Sequence, residues 1–311
     1  MGTGLVLGSV LLWGTVGPAQ VLAASSLSPV ALGGWRLLVG GLALWVFTAR
    51  NPTGLRALAA PAKLRPLLVC ALSTALYQAT FLYSVSRTGA ALATVVALGT
   101  APAAIGACAR WVTGERVSFT WLVSTVAAIA GCALLLAPGG DGVDPLGLVL
   151  GVAAGVCYGM YTVFTKRLAD DDPTLHLPTV SALSLTVGAM VLLPWVITDS
   201  ASLLDVRSLG LIAWLGLATT ALAYWLFTVG LSRVSASTVG TLSLAEPLAA
   251  ALLGVLVLNE HLSASALAGC VLILGGLTFT CLPQSRLRTP PPRAETGSAD
   301  PAIHDPHRMT V

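Results

Sequence analysis

The chain has 311 residues, 56% of them hydrophobic and 9% charged, with a mean hydropathy of +0.86 and a formal net charge of +3. Soluble domains carry about 25% charged residues, so this composition excludes one and points to repeated membrane crossing. The small net charge carries no nucleic-acid signal.

Apolar runs of about 20 residues, enough to cross a hydrocarbon core, predict ten transmembrane helices in an all-α protein. They fall at 3–23, 30–49, 65–85, 89–109, 118–137, 146–166, 177–197, 208–230, 235–258 and 262–282. The opening "MGTGLVLG" lacks a basic n-region and a cleavage signature, so it reads as a first span. Short breaks at 86–88 and 231–234 separate neighbouring spans. In the sixth span Gly147, Gly151, Gly155 and Gly159 recur every fourth residue, a pattern for close helix packing. "ADDDP" at 169–173 has the look of metal-binding aspartates in membrane prenyl transferases. No second Asp-rich motif accompanies it, and it reads as a solvated turn. From residue 283 the chain turns to "PQSRLRTPPPR…", too poor in hydrophobes to pack a core, and 283–311 is expected to be a disordered cytoplasmic tail. The six cysteines lie in apolar segments without metal-ligand spacing and read as packing residues. No metal site or cofactor is expected, and no GxxxxGK[ST] loop for ATP is present.

Lys and Arg set the orientation. With the N-terminus inside, the cytoplasmic side receives Arg50, Arg56, Lys63, Arg65, Arg110, Arg116, Lys166, Arg167, Arg233, Arg286, Arg288, Arg293 and Arg308. Arg87 and Arg207 fall outside, and Arg36 lies within a span. Ten spans with both termini cytoplasmic follow, in the plasma membrane.

The chain also resembles itself. "GLVLG" occurs at 4–8 and at 147–151, and residues 91–131 align with 236–276 at a constant shift of 145. That shift pairs Pro102 with Pro247, Glu115 with Glu260, and Gly131 with Gly276. Two five-helix repeats, 1–137 and 146–282, are expected. Because five is odd, the second enters the membrane from the other side, as in transporters built from inverted repeats.

With "SPVALGGWRLLVGG" around Arg36, "AP" at 101–102, "EP" at 246–247, and a helix-terminal Glu in both "TGERVS" and "LNEHLS", the chain resembles the EamA type of the drug/metabolite transporter superfamily. The likeness covers residues 3 to about 282. It implies a transporter, most often an exporter, of small metabolites such as amino acids or of toxic organic compounds.

Two charged residues stand within spans, Arg36 and Glu246, where insertion scales charge about 2.5–3.5 kcal/mol for Arg, Lys or Asp. Arg36 reads as an anchor for a substrate carboxylate or a gate partner, or else as a structural pin. Glu246, near mid-span, is a candidate proton carrier, a partner for a cationic group, or a structural partner of Arg36. Their aligned positions, Val180 and Ala101, are uncharged. Pro102 and Pro247 each remove a helix hydrogen bond and are expected to kink one helix per half, walling a central path. Trp13, Tyr77, Gln78, Tyr158 and Tyr224 are the expected aromatic and polar lining, a composition suited to amphipathic organic substrates. Tyr83, Trp111, Trp195 and Trp214 read as an interfacial belt. Glu115 and Glu260 read as caps or turn residues. The leading function is a secondary transporter working by alternating access, with a small molecule and the lipid bilayer as its partners. The alternatives are a membrane-embedded enzyme and a non-transporting scaffold.

Overall fold

The structure, a computed structural model, describes residues 1–25, 27–49, 60–135, 144–198, 205–259 and 261–281. The 283–311 tail, Glu260, Arg50 and Arg56 lie outside these residues, and everything below concerns Met1–Cys281. The described residues are helical: α1 (Gly2–Gly14), α2 (Val16–Ala23), α3 (Pro29–Ala49), α4 (Pro61–Val112), α5 (Phe119–Leu135), α6 (Pro145–Asp171), α7 (Leu177–Thr198), α8 (Val206–Leu231), α9 (Ala236–Ser243), α10 (Ala245–Leu258) and α11 (Ala264–Cys281). Among them, seven stretches are long and apolar enough to cross a membrane. The runs expected at 118–137 and 262–282 are shorter helices; the 17 residues of α5 rise about 26 Å.

Proline and glycine explain where helices break. α4 is 52 residues long, about 78 Å if straight and more than twice a hydrocarbon core. It turns at Gly89 alone, whose φ of +81° and ψ of 161° suit a residue without Cβ. The expected break at 86–88 thus falls at 89, and Pro102 leaves its helix uninterrupted. The first and ninth predicted spans, by contrast, are each split, at Thr15 and Leu244. Each split lies three residues before a proline, Pro18 or Pro247, whose missing N–H frees the carbonyl four residues back.

Close approaches without Cβ hold the bundle together. A Cβ on Gly131 of α5 would sit 2.6 Å from the Gly269 carbonyl and 2.8 Å from Ile273 N, while one on Gly276 of α11 would meet Ser124 O at 2.5 Å and Ala128 at 3.1 Å. The α6 glycines meet α4 in the same way: a Cβ on Gly155 would lie 2.5 Å from Ala97 O, and one on Gly159 would lie 2.9 Å from Ala104 Cβ. Small residues let such backbones touch, which is the main source of helix association in lipid.

Ion pairs gather at the helix ends. Asp144 caps α6, accepting from Leu146 N at 2.8 Å and Gly147 N at 3.2 Å, and pairs with Arg87 at 3.3 Å. At the other end of α6, Asp172 meets Lys63 at 2.5 Å, while Asp170 pairs with Lys166 and Asp171 with Arg167. The "ADDDP" segment is therefore a paired helix end rather than a freely solvated turn. Glu115 accepts from Ser237 N and Oγ and so caps α9, again at this end.

The Lys63 ammonium, followed by Thr174, holds the Asp172 carboxyl down at about 2. Its folded value lies below the unfolded one, so the stabilisation is present above about pH 4 and fades as pH falls towards 2. Asp172→Asn is expected to lower the thermal unfolding midpoint at pH 7, with the gap to the parent protein closing in acid. A gap that stays constant down to pH 2 excludes this linkage.

Candidate functional site

One cavity of about 440 Å³ lies among α1, α2, α3, both legs of α4, α6, α8 and α10. It extends from Trp13, Tyr158 and Glu246 towards Pro29, Val85 and Ala90, the bundle end that also carries the Arg87–Asp144 pair. On the opposite side of Trp13 the packing is continuous, with Val6, Val10, Phe227, Leu231, Leu242 and Leu244 fully buried. The cavity therefore reaches one end of the bundle and is closed towards the other.

Arg36, Glu246, Trp13, Tyr77, Gln78, Tyr158, Tyr224 and Pro247 all line this cavity. Pro102 does not. It is buried against α9, its Cα 3.3 Å from where a Cβ on Gly240 would stand. The expectation of two matched proline-kinked walls is therefore corrected: α10 supplies one at Pro247, and its partner is the α1/α2 elbow above Pro18.

The elbow and α10 meet directly. A Cβ on Gly14 would lie 2.6 Å from Ala249 Cβ and 3.1 Å from the Glu246 carbonyl. Glu246 thus stands in the first turn of α10, where the helix dipole favours an anion. Arg36 is half-buried on α3, and its Nε is buried without a hydrogen-bond partner. Among the described residues no ion pair within 4 Å includes Arg36 or Glu246. The two side chains share one cavity without a direct ion pair between them.

The aromatic side chains form a layer. Trp13 sits edge-on to Tyr158 at 6.5 Å and to Tyr224 at 5.6 Å between ring centroids. Tyr77 stacks on Phe81 at 5.5 Å and leans on Tyr158 at 6.3 Å. Ser243 Oγ donates to Val239 O at 3.0 Å, so Tyr158, 2.8 Å away, donates to Ser243. Gln78 is 6% exposed and lines the cavity. An unpartnered guanidinium Nε, a carboxyl group and an amide around one cavity are suited to a ligand that supplies the missing bonds. Among the described residues no three His, Cys, Asp or Glu side chains are grouped to hold a metal ion.

Phe81, Gly14 and Gln20 also line the cavity. Phe81 was legible as the i+4 neighbour of Tyr77 on a helix, whereas nothing in the sequence marked Gly14. Trp214, expected in the lipid belt, is half-exposed but donates its Nε1–H to Thr15 Oγ1 at 3.1 Å. Tyr83 and Trp111 are exposed, at 58% and 87%.

The sequence model of the EamA-like transporter family matches residues 1–137 and 145–282. The chain belongs to this family. It is 37% identical over 280 residues to the uncharacterized transporter YwfM of Bacillus subtilis, covering 88% of this chain and 90% of that protein. Over 180 residues it is 30% identical to the threonine/homoserine exporter RhtA of Escherichia coli K12, covering 55% of this chain and 58% of RhtA. A solved crystal structure superposes with a TM-score of 0.77 at 22% identity, over 90% of this chain and 96% of that one; that likeness speaks to the fold alone. This EamA-like transporter is thus a multi-pass membrane protein, and its cavity is the candidate place for a solute.

Proposed function

We propose that the chain is a secondary transporter of the plasma membrane that exports small organic solutes, amino acids or drug-like compounds, by alternating access. The observation that carries this reading is the cavity, closed at one end, in which Arg36 and Glu246 face an aromatic layer without pairing to each other. Ionisable side chains without a direct partner in a membrane interior are costly unless a ligand or water meets them. RhtA, an exporter of threonine and homoserine by name, brings amino acids into the solute class.

Two inverted five-helix repeats underlie the proposed motion. Counting the legs of α4 on either side of Gly89 separately, and adding the shorter α5 and α11, gives ten spans. Support comes from contacts that repeat at the shift of 145. Gly131 faces Gly269 and Ile273, while Gly276 faces Ser124 and Ala128. Gly14 faces Ala249 and Ala250, while Gly159 faces Ala104 and Ile105. Trp13 and Tyr158, themselves related by the shift, touch each other. With Lys63, Lys166, Arg167 and Arg233 at the closed end, the positive-inside rule makes that end and both termini cytoplasmic, so the cavity faces outward.

The test is metabolite profiling of the medium of cells with and without the protein, at matched expression. At least one small organic solute should accumulate outside cells that carry it. Identical media would count decisively against export.

A further inference from the structure

Helix α8 is wound as a π-helix over Trp214–Leu222, a geometry found mostly as short inserts and often at functional sites. The hydroxyls of Thr219 and Thr220 both donate to the Leu215 carbonyl at 2.8 Å, the second reaching five residues back. The Ala223 amide, which in an α-helix would bond Thr219 O, donates to Ala218 and Thr220 instead. The Thr219 carbonyl accepts the Trp13 indole Nε1–H at 3.0 Å.

A second bond joins the same two elements. Trp214, at the start of the π turn, donates to Thr15 Oγ1, which itself donates to Leu12 O at 2.7 Å. Both sides of the α1/α2 elbow are therefore fastened to the π segment, with Gly14 between them pressed on α10. The opposite side of the segment grips α3: a Cβ on Gly40 would lie 2.4 Å from Thr220 Cγ2 and 2.9 Å from Gly216 O. Each α-helical residue turns about 100°, so an extra residue in the turn sets which way Tyr224 and Phe227 face Trp13.

We propose that this π turn is the positioning element that holds Trp13 across the inner end of the cavity, and that through Trp13 it sets the size of solute accepted. The proposal rests on the reading of the cavity as the solute site. Three variants test it: Trp13→Phe, which keeps a ring but lacks the donor; Trp214→Phe, which cuts only the bond to Thr15; and deletion of Leu217, a 52% exposed residue whose loss shortens the π turn by one. Media profiles give the ratio of large to small exported solutes. Hydrogen exchange of the indole N–H groups, followed by NMR in nanodiscs, gives the position of Trp13.

All three variants should move that ratio in the same direction, by roughly tenfold, the scale on which apolar pockets discriminate. In the parent protein the Trp13 indole should exchange slowly. It should exchange at least about tenfold faster in the deletion variant and in Trp214→Phe, while the exposed Trp111 is unchanged. Parent-like exchange at Trp13 in both variants overturns the positioning. An unchanged solute ratio in both overturns the control of size. Trp214→Phe leaves the π turn whole, so it decides both points even if the deletion variant does not accumulate. Parent medium identical to that of empty cells sinks the transport reading and the size claim with it, while the exchange measurement still judges the positioning on its own.

Discussion

Glu246→Gln is expected to lower solute export about 10- to 100-fold while the protein reaches the membrane in normal amount. The Glu246 side chain lines the cavity and has no ion-pair partner within 4 Å among the described residues, so under the proposed function the substitution removes a contact to solute rather than a structural pair. A hydrogen bond to a charged group contributes about 1.5–3 kcal/mol, which spans that range of rates. Arg36→Gln should act similarly, and Tyr83→Phe, on an exposed side chain, should do nothing. Export measured against quantified membrane protein checks all three. Parent-level export by Glu246→Gln would remove the cavity from the mechanism.

The second large effect is on stability. Gly131→Val and Gly276→Val each place a Cβ within about 2.6 Å of a backbone atom of the facing helix, and neither neighbour is a flexible side-chain end that can swing aside. Overpacking of this kind costs about 1–3 kcal/mol, enough to lower the unfolding midpoint in detergent by several degrees. Gly275, one residue along the same helix, has nothing within 4 Å of its added Cβ, so Gly275→Val should be tolerated. Equal midpoints for Gly275→Val and Gly276→Val would show that the α5–α11 seam does not depend on glycine.

Much of this was readable from residue order, for reasons that differ by element. Apolar length alone marked α3, α6 and α7, because lipid demands an unbroken helix of fixed rise. The residues around the cavity were picked out because charges, amides and aromatic hydroxyls are conspicuous in apolar surroundings. The helix breaks were harder. Pro102 and Pro247 are alike in sequence, yet only Pro247 lies just beyond a split helix, at Leu244, because neighbours decide whether a lost bond opens a turn. Pro18 acts in the same way as Pro247, and its consequence at Thr15 was not foreseen. The π turn of α8 carries no proline at all; there Gly216 and Thr220 pack against Gly40, a contact that only the packed bundle reveals. The pairing of "ADDDP" with Lys63 likewise needed two chain segments 109 residues apart to meet.

The two bonds at the ends of α6 have a mechanical consequence. Arg87–Asp144 and Lys63–Asp172 tie the helix at top and bottom to the same leg of α4, and Ser84 Oγ and Cys70 Sγ fasten it between, to Gly147 O and to Thr165. A rod braced at both ends and along its length behaves as a strut: it transmits force without bending. The breaks in helical winding lie elsewhere, at Thr15 and Leu244, and the two broken helices meet where Gly14 packs on Ala249 in the wall of the cavity.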